Sequence, residues 1–89
     1  MSEVHLTQDD LEPVVKRLKR AQGQLTGILK MIDEGRECGD VVTQLAAVSK
    51  AIDRAGFAMI ASGLEQCVRD GESGLEAKAR LERMFMALS

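Results

Sequence analysis

The chain contains no tryptophan or tyrosine, and its 89 residues include two phenylalanines, one proline, one histidine and two cysteines. With so little aromatic bulk, a core must come from Ala, Leu, Val, Ile and Met through many thin contacts, as helix–helix packing provides. The one proline, Pro13, falls near an expected helix start, where a missing N–H is tolerated. No run of about 18 apolar residues occurs, so no transmembrane helix is expected. The N-terminal Met1-Ser2-Glu3-Val4-His5 lacks the basic and apolar regions of a signal peptide, so a cytosolic location is expected, with reduced thiols. No nucleophile–base pair or phosphate-binding loop is present, so an enzyme is not expected. The net charge of −2 gives no global sign of nucleic-acid binding, which would need a local basic patch.

What is present is helical periodicity. One domain over residues 1–89 is expected, with a flexible arm at 1–8 and helices at about 9–34, 37–69 and 73–88. Thr7 to Asp10 can cap the first helix. Leu11, Val14, Leu18, Ala21, Leu25, Ile28 and Ile32 then recur at three- and four-residue steps, an apolar seam of the kind that pairs helices. Gly35 ends it as a left-handed cap. Gly23 and Gly27 each cost about 1 kcal/mol of helix propensity against alanine, which suggests close helix packing at both. The second helix carries Val41, Leu45, Val48, Ile52, Ala55 and Met59, and Asp70-Gly71 stops it. Ser73 and Glu76 have capping-box spacing before a third helix with Leu75, Ala79, Leu81, Met84, Phe85 and Leu88. The fold class is therefore all-α. An antiparallel hairpin of the two long helices would leave an apolar face open, and two hairpins would close it as a four-helix-bundle dimer. The third helix would cover that bundle or join dimers.

The two cysteines mark the ends of the second helix. Cys38 and Cys67 are 29 residues apart, which is eight turns plus about 20°, so they share a helix face. At about 1.5 Å per residue they are also roughly 43 Å apart and cannot meet within one helix. If two copies pair antiparallel, Cys38 of one lies beside Cys67 of the other, and a two-fold dimer carries two dithiol sites. Cytosolic cysteines so placed point to reactive or metal-binding roles rather than a structural disulfide.

Arg17-Leu18-Lys19-Arg20-Ala21-Gln22-Gly23-Gln24, the run Cys38-Gly39-Asp40-Val41-Val42-Thr43-Gln44-Leu45-Ala46-Ala47-Val48 and the late Cys67-Val68 together resemble the copper-sensitive operon repressor family of bacterial transcriptional regulators. The resemblance covers nearly the whole chain from about Val15. It implies a helical dimer assembling into a disc-shaped tetramer that represses its own operon and leaves operator DNA when an inducer reaches the cysteines. In copper-sensing members a histidine stands four residues before the late cysteine. Here that position is Gly63, which offers no ligand. The chain is therefore most similar to the persulfide-sensing, sulfurtransferase-repressor branch, which keeps both cysteines and lacks the histidine. Persulfide or polysulfide is then the expected inducer and no cofactor is needed. The alternatives are Cu(I) held by Cys38 and Cys67, or a DNA-independent helical metal-carrier module.

The resemblance also implies DNA contacts from Arg17 and Arg54, supported by Lys16, Arg20 and Lys50. Gln24 and Gln44 fit either DNA contact or packing. His5 reads as a solvated tail residue, and Met59, Met84 and Met86 as packing residues. The helix dipole favours an anion at Cys38 and disfavours one at Cys67. Glu37 and Asp40 oppose it at the first and Arg69 at the second. Cys38 is expected to attack a sulfur donor first and Cys67 to resolve the product.

Overall fold

A computed structural model describes residues 5–88. Three α-helices follow in order, α1 over Gln8–Asp33, α2 over Cys38–Asp70 and α3 over Leu75–Leu88, with a 3₁₀ turn at Gly71–Gly74 before the last. No strand occurs among the described residues. The part of the expected arm at 1–4 lies outside them, and α1 starts at Gln8.

Local chemistry fixes the ends of α1. Thr7 and Asp10 form a reciprocal capping box, the Asp10 amide donating to Thr7 Oγ1 and the Thr7 amide to Asp10 Oδ2, both at 3.1 Å. Pro13 sits in the second turn rather than at the start. It cannot donate to the Asp9 carbonyl. Both residues are exposed, so water can take the donor's place. At the other end Gly35 adopts φ +72°. Its amide donates to the Ile32 carbonyl and that of Arg36 to the Met31 carbonyl, a Schellman closure that needs the left-handed glycine. The helix then turns directly into α2, whose N-cap is Glu37.

The α1–α2 hairpin uses half of each apolar seam. Val14, Ala21 and Ile28 are buried on α1, and Val48 and Ala55 on α2. The rows beside them are not: Leu18, Leu25 and Ile32 on α1 and Leu45, Ile52 and Met59 on α2 stay exposed. Each exposed row repeats every seven residues, so each is a continuous ridge along its helix. The radius of gyration is 16.7 Å, against about 12 Å for a compact domain of this length. Gly23 and Gly27 have no atom within 4 Å of where a Cβ would stand, so no contact within the chain accounts for them and the expected close packing is absent there.

α2 ends at Asp70 with Gly71 as its C-cap, as the Asp70-Gly71 pair leads one to expect, and a 3₁₀ turn over Gly71–Gly74 runs straight into α3. The Ser73 hydroxyl donates to the Asp70 carbonyl at 2.8 Å. It therefore serves the 3₁₀ turn and does not cap α3, which overturns the capping-box reading. Gly71 takes φ +64° and lets the chain fold back, so that α3 packs on α2 and makes no contact with α1 among the described residues. Phe85 stacks at a tilt on Phe57, ring centroids 5.1 Å apart. Ala77 is the buried residue of α3, while Leu75, expected in the apolar stripe, is exposed.

Candidate functional site

The two cysteines occupy different surroundings. Cys38 is the first residue of α2 and is exposed. Next to it the Glu37 carboxylate accepts from the Asp40 amide at 3.1 Å, and Arg36 lies 3.6 Å from Asp40 in an exposed pair that contributes little to stability. Cys67 lies one turn before the end of α2 and is only 2% exposed. Its cover comes from its own chain. Gly74 approaches the Cys67 backbone so closely that a Cβ there would overlap the Cys67 carbonyl oxygen.

Gly63, one turn before Cys67, is also buried. A Cβ at Gly63 would stand 2.8 Å from Leu81 Cδ1, so Leu81 of α3 fills the place that a side chain would take. No group of three or more His, Cys, Asp or Glu side chains among the described residues could hold a metal ion within one chain. His5 stands exposed ahead of α1. Met59, Met84 and Met86 are all exposed in the single chain, Met86 the most.

At the far end of α2 the Arg69 guanidinium donates to Gln66 at 2.6 Å, and Gln66 in turn donates to Asp70 at 2.9 Å. The start of α1 lies nearby. Hydrogen bonds from the Thr7 backbone and side chain hold the Asp10 carboxyl below its ordinary value of 3.8, and the positive charge of Arg69 adds to the effect.

The basic residues converge elsewhere, midway along the hairpin. Lys16, Arg17 and Arg20 of α1 and Arg54 of α2 line one cleft with Pro13 and Ala51, about 450 Å³ in volume. Lys16 pairs with Glu12 at 3.3 Å on the exposed surface, a contact weak enough to yield to a phosphate. Lys50 is exposed but does not line this cleft. Lys19 lines the apolar groove of Val15, Leu18, Leu25 and Ile52 instead. Gln44 is exposed, whereas the Gln24 side-chain oxygen is buried and finds no donor among the described residues. The glycine contacts under α3 were the feature that sequence reasoning missed. Their signal is a matched spacing, Gly56 and Gly63 on α2 against Leu88 and Leu81 on α3.

The chain is similar in sequence and in fold to known proteins. A family model described as metal-sensitive transcriptional repressor matches residues 10–89. The copper-sensing transcriptional repressor RicR of Mycobacterium tuberculosis is 33% identical over 91 residues, covering 100% of this chain and 95% of that protein. The copper-sensing transcriptional repressor CsoR of Bacillus subtilis is 30% identical over 66 residues, 74% of this chain and 65% of that one. Among solved structures, the copper-sensing repressor CsoR with Cu(I) from Geobacillus thermodenitrificans superposes with a TM-score of 0.73 at 27% identity, covering 96% of this chain and 92% of that chain.

Proposed function

This chain belongs to the metal-sensitive transcriptional repressor family, whose members act on transcription and are not enzymes, and from that premise we propose that it represses from operator DNA and reads its inducer with two thiolates, Cys38 of one chain and Cys67 of a second. The observation that carries the reading is the pair of exposed apolar ridges, Leu18–Leu25–Ile32 and Leu45–Ile52–Met59. Ridges of this kind mark an unmet interface, and a second hairpin is the partner that matches them. The unpaired Gln24 oxygen supports it, since a buried acceptor calls for a donor. Antiparallel pairing then brings Cys38 of one chain to Cys67 of the other. Assembly of dimers into a tetramer belongs to the same proposal.

Cu(I) is the inducer that the relatives favour, since the named ones are copper-sensing repressors. The donor set fits in kind: two soft thiolates suit Cu(I), which they can hold without a third ligand. When bound, it would join the two sulfurs. Persulfide, the expectation from sequence, has weaker support, because no relative named above is described as a sulfur sensor. One observation still favours it as a second reading. Leu81 fills the space over Gly63 and leaves no place on that turn of α2 for a third metal ligand. In that chemistry the Cys38 thiolate attacks the sulfane sulfur of a persulfide RSSH and releases RSH. Cys67 then attacks the modified Cys38, forming the inter-chain disulfide and releasing H₂S, so that the persulfide is reduced and the two thiols are oxidised.

Either link constrains how the two chains sit. DNA would engage the clefts of Lys16, Arg17, Arg20 and Arg54, with Lys50 at their flank, mainly through phosphates. A link that alters the spacing between clefts on paired chains shifts the population away from the DNA-competent arrangement. The test is an anaerobic titration, with Cu(I) in one arm and a low-molecular-weight persulfide in the other. Fluorescence anisotropy follows a duplex from upstream of the protein's own gene. Stoichiometric Cu(I) binding with loss of DNA affinity supports copper. Release by persulfide alone supports the second reading, and failure to bind the duplex refutes both.

A further inference from the structure

Cys67 is buried on the face of α2 that also carries Gly63 and Gly56, four and eleven residues earlier and within about 40° of it in helical phase, and the chain's own C-terminal segment packs along that face. Three contacts hold the segment there, and each uses a missing side chain. Gly74 of the 3₁₀ turn lies against the Cys67 backbone. Leu81 drops into the notch at Gly63, and Leu88 into the notch at Gly56, where a Cβ would stand 2.9 Å from Leu88 Cδ1. The two notches are seven residues apart on α2 and the two leucines seven apart on α3, so both pins engage with one orientation of α3. Among the described residues, α3 packs on α2 and on the 3₁₀ turn and not on α1. A helix of 14 residues is marginal by itself, and its outer side still exposes Leu75 and Met86 at 60% and 70%. The turn that joins it to α2 passes through Gly71 at φ +64°, a conformation that side chains rarely adopt and glycine leaves readily.

We propose that the 3₁₀ turn and α3 form a hinged cover over Cys67, pinned by Leu81 and Leu88, that must lift about Gly71 before any reagent or second thiol reaches the Cys67 sulfur. A residue buried by its own chain reacts only through local opening, and the frequency of that opening sets the rate. The cover therefore makes Cys67 the slow thiol and Cys38 the fast one, and it ties modification at Cys67 to movement of α3. Its use in joining Cys67 to Cys38 of a second chain rests on the two-chain reading above, whereas the cover itself does not.

Thiol labelling tests the proposal. The reduced full-length protein is exposed to N-ethylmaleimide, and alkylation at each cysteine is followed by peptide mass spectrometry. Cys38 is expected to react at least tenfold faster than Cys67. Leu88→Ala, which withdraws one pin far from both sulfurs, is expected to raise the Cys67 rate several-fold and leave the Cys38 rate unchanged. Amide hydrogen exchange on the same samples reports whether α3 has loosened and whether α2 remains folded. Should Leu88→Ala unfold the protein, Leu88→Val trims the same pin more gently. Equal labelling of the two cysteines in the unmodified protein would overturn the proposal. So would faster exchange in α3 without faster labelling of Cys67. A covered Cys67 that never links to Cys38 of another chain would instead overturn the two-chain reading and leave the cover standing.

Discussion

The two halves of α2 carry the same kind of residue at their ends and treat it in opposite ways. The N-terminal half presents Cys38 to solvent, with Glu37 and Asp40 arranged around the helix start. The C-terminal half receives α3 side chains at Gly56 and Gly63 and buries Ala55, Ile60, Gly63 and Cys67. Helical phase makes the thiols equivalent, and packing makes them different. A sensor built from one exposed and one covered thiol can meet its inducer at the first and commit only when the second becomes available. The order expected from the helix dipole, Cys38 before Cys67, runs in the same direction as this difference of exposure.

Removing either thiol should have the largest effect and cancel the asymmetry. Cys38→Ser and Cys67→Ser proteins are each expected to bind the upstream duplex like the unmodified chain and to lose inducer-dependent release entirely, as measured by anisotropy. A Cys38→Ser protein that releases normally would remove the exposed half of the comparison.

Glycine substitutions sharpen it next. Gly74→Ala drives a Cβ into the Cys67 backbone, and overpacking of this kind costs about 1–3 kcal/mol. Gly39→Ala in the other half meets only the Glu37 carboxylate, the end of a flexible side chain. Its gain in helix propensity, about 1 kcal/mol at most, is offset by disturbance of the Glu37 cap, so its net effect should be near zero. Urea denaturation of both variants checks the contrast, and equal destabilisation would break it.

Arg54 lies between the two halves and should leave their difference intact. Arg54→Ala is expected to weaken DNA binding across sequences and reduce the salt slope of log K by about 1, with both thiol-labelling rates unchanged. The smallest effect belongs to the start of α1, beside the covered end. The Asp10 carboxyl is held below 3.8 in the folded chain. Its contribution is therefore complete above that value and is lost as pH falls further, through the lower folded value. Asp10→Asn should flatten stability against pH in that acid range alone, as read by circular dichroism melts.

Much of this was legible in the sequence. Seven-residue repetition gave both long helices, Gly35 gave the turn between them, and the 29-residue interval put both cysteines on one face. Periodicity does not say which side of a seam the hairpin consumes. Val14 and Leu18 look alike in the pattern, yet α2 buries the first and leaves the second exposed. Ser73 has capping-box spacing, but its hydroxyl donates back to the Asp70 carbonyl, a local competition that spacing cannot settle. The cover over Cys67 was hidden because it depends on side chains that are missing. Gly56, Gly63 and Gly74 acquire meaning only when α3 lies antiparallel on α2. The basic cleft was legible as composition on two helices, and the hairpin register decided that Arg54 joins it and Lys50 does not.

Two chains lying antiparallel, with Cys38 of one against Cys67 of the other, would join those two sulfurs on oxidation. Mild diamide treatment of the reduced protein, followed by tryptic digestion without reductant, reads which cysteines join. Because the two thiols stand roughly 43 Å apart along one helix, a link between them must cross between chains. The expected product is a covalent dimer in which the peptide over residues 37–50 is joined to that over 55–69. A dimer linked only through Cys38 to Cys38, or a chain that stays monomeric throughout, would contradict the antiparallel pairing.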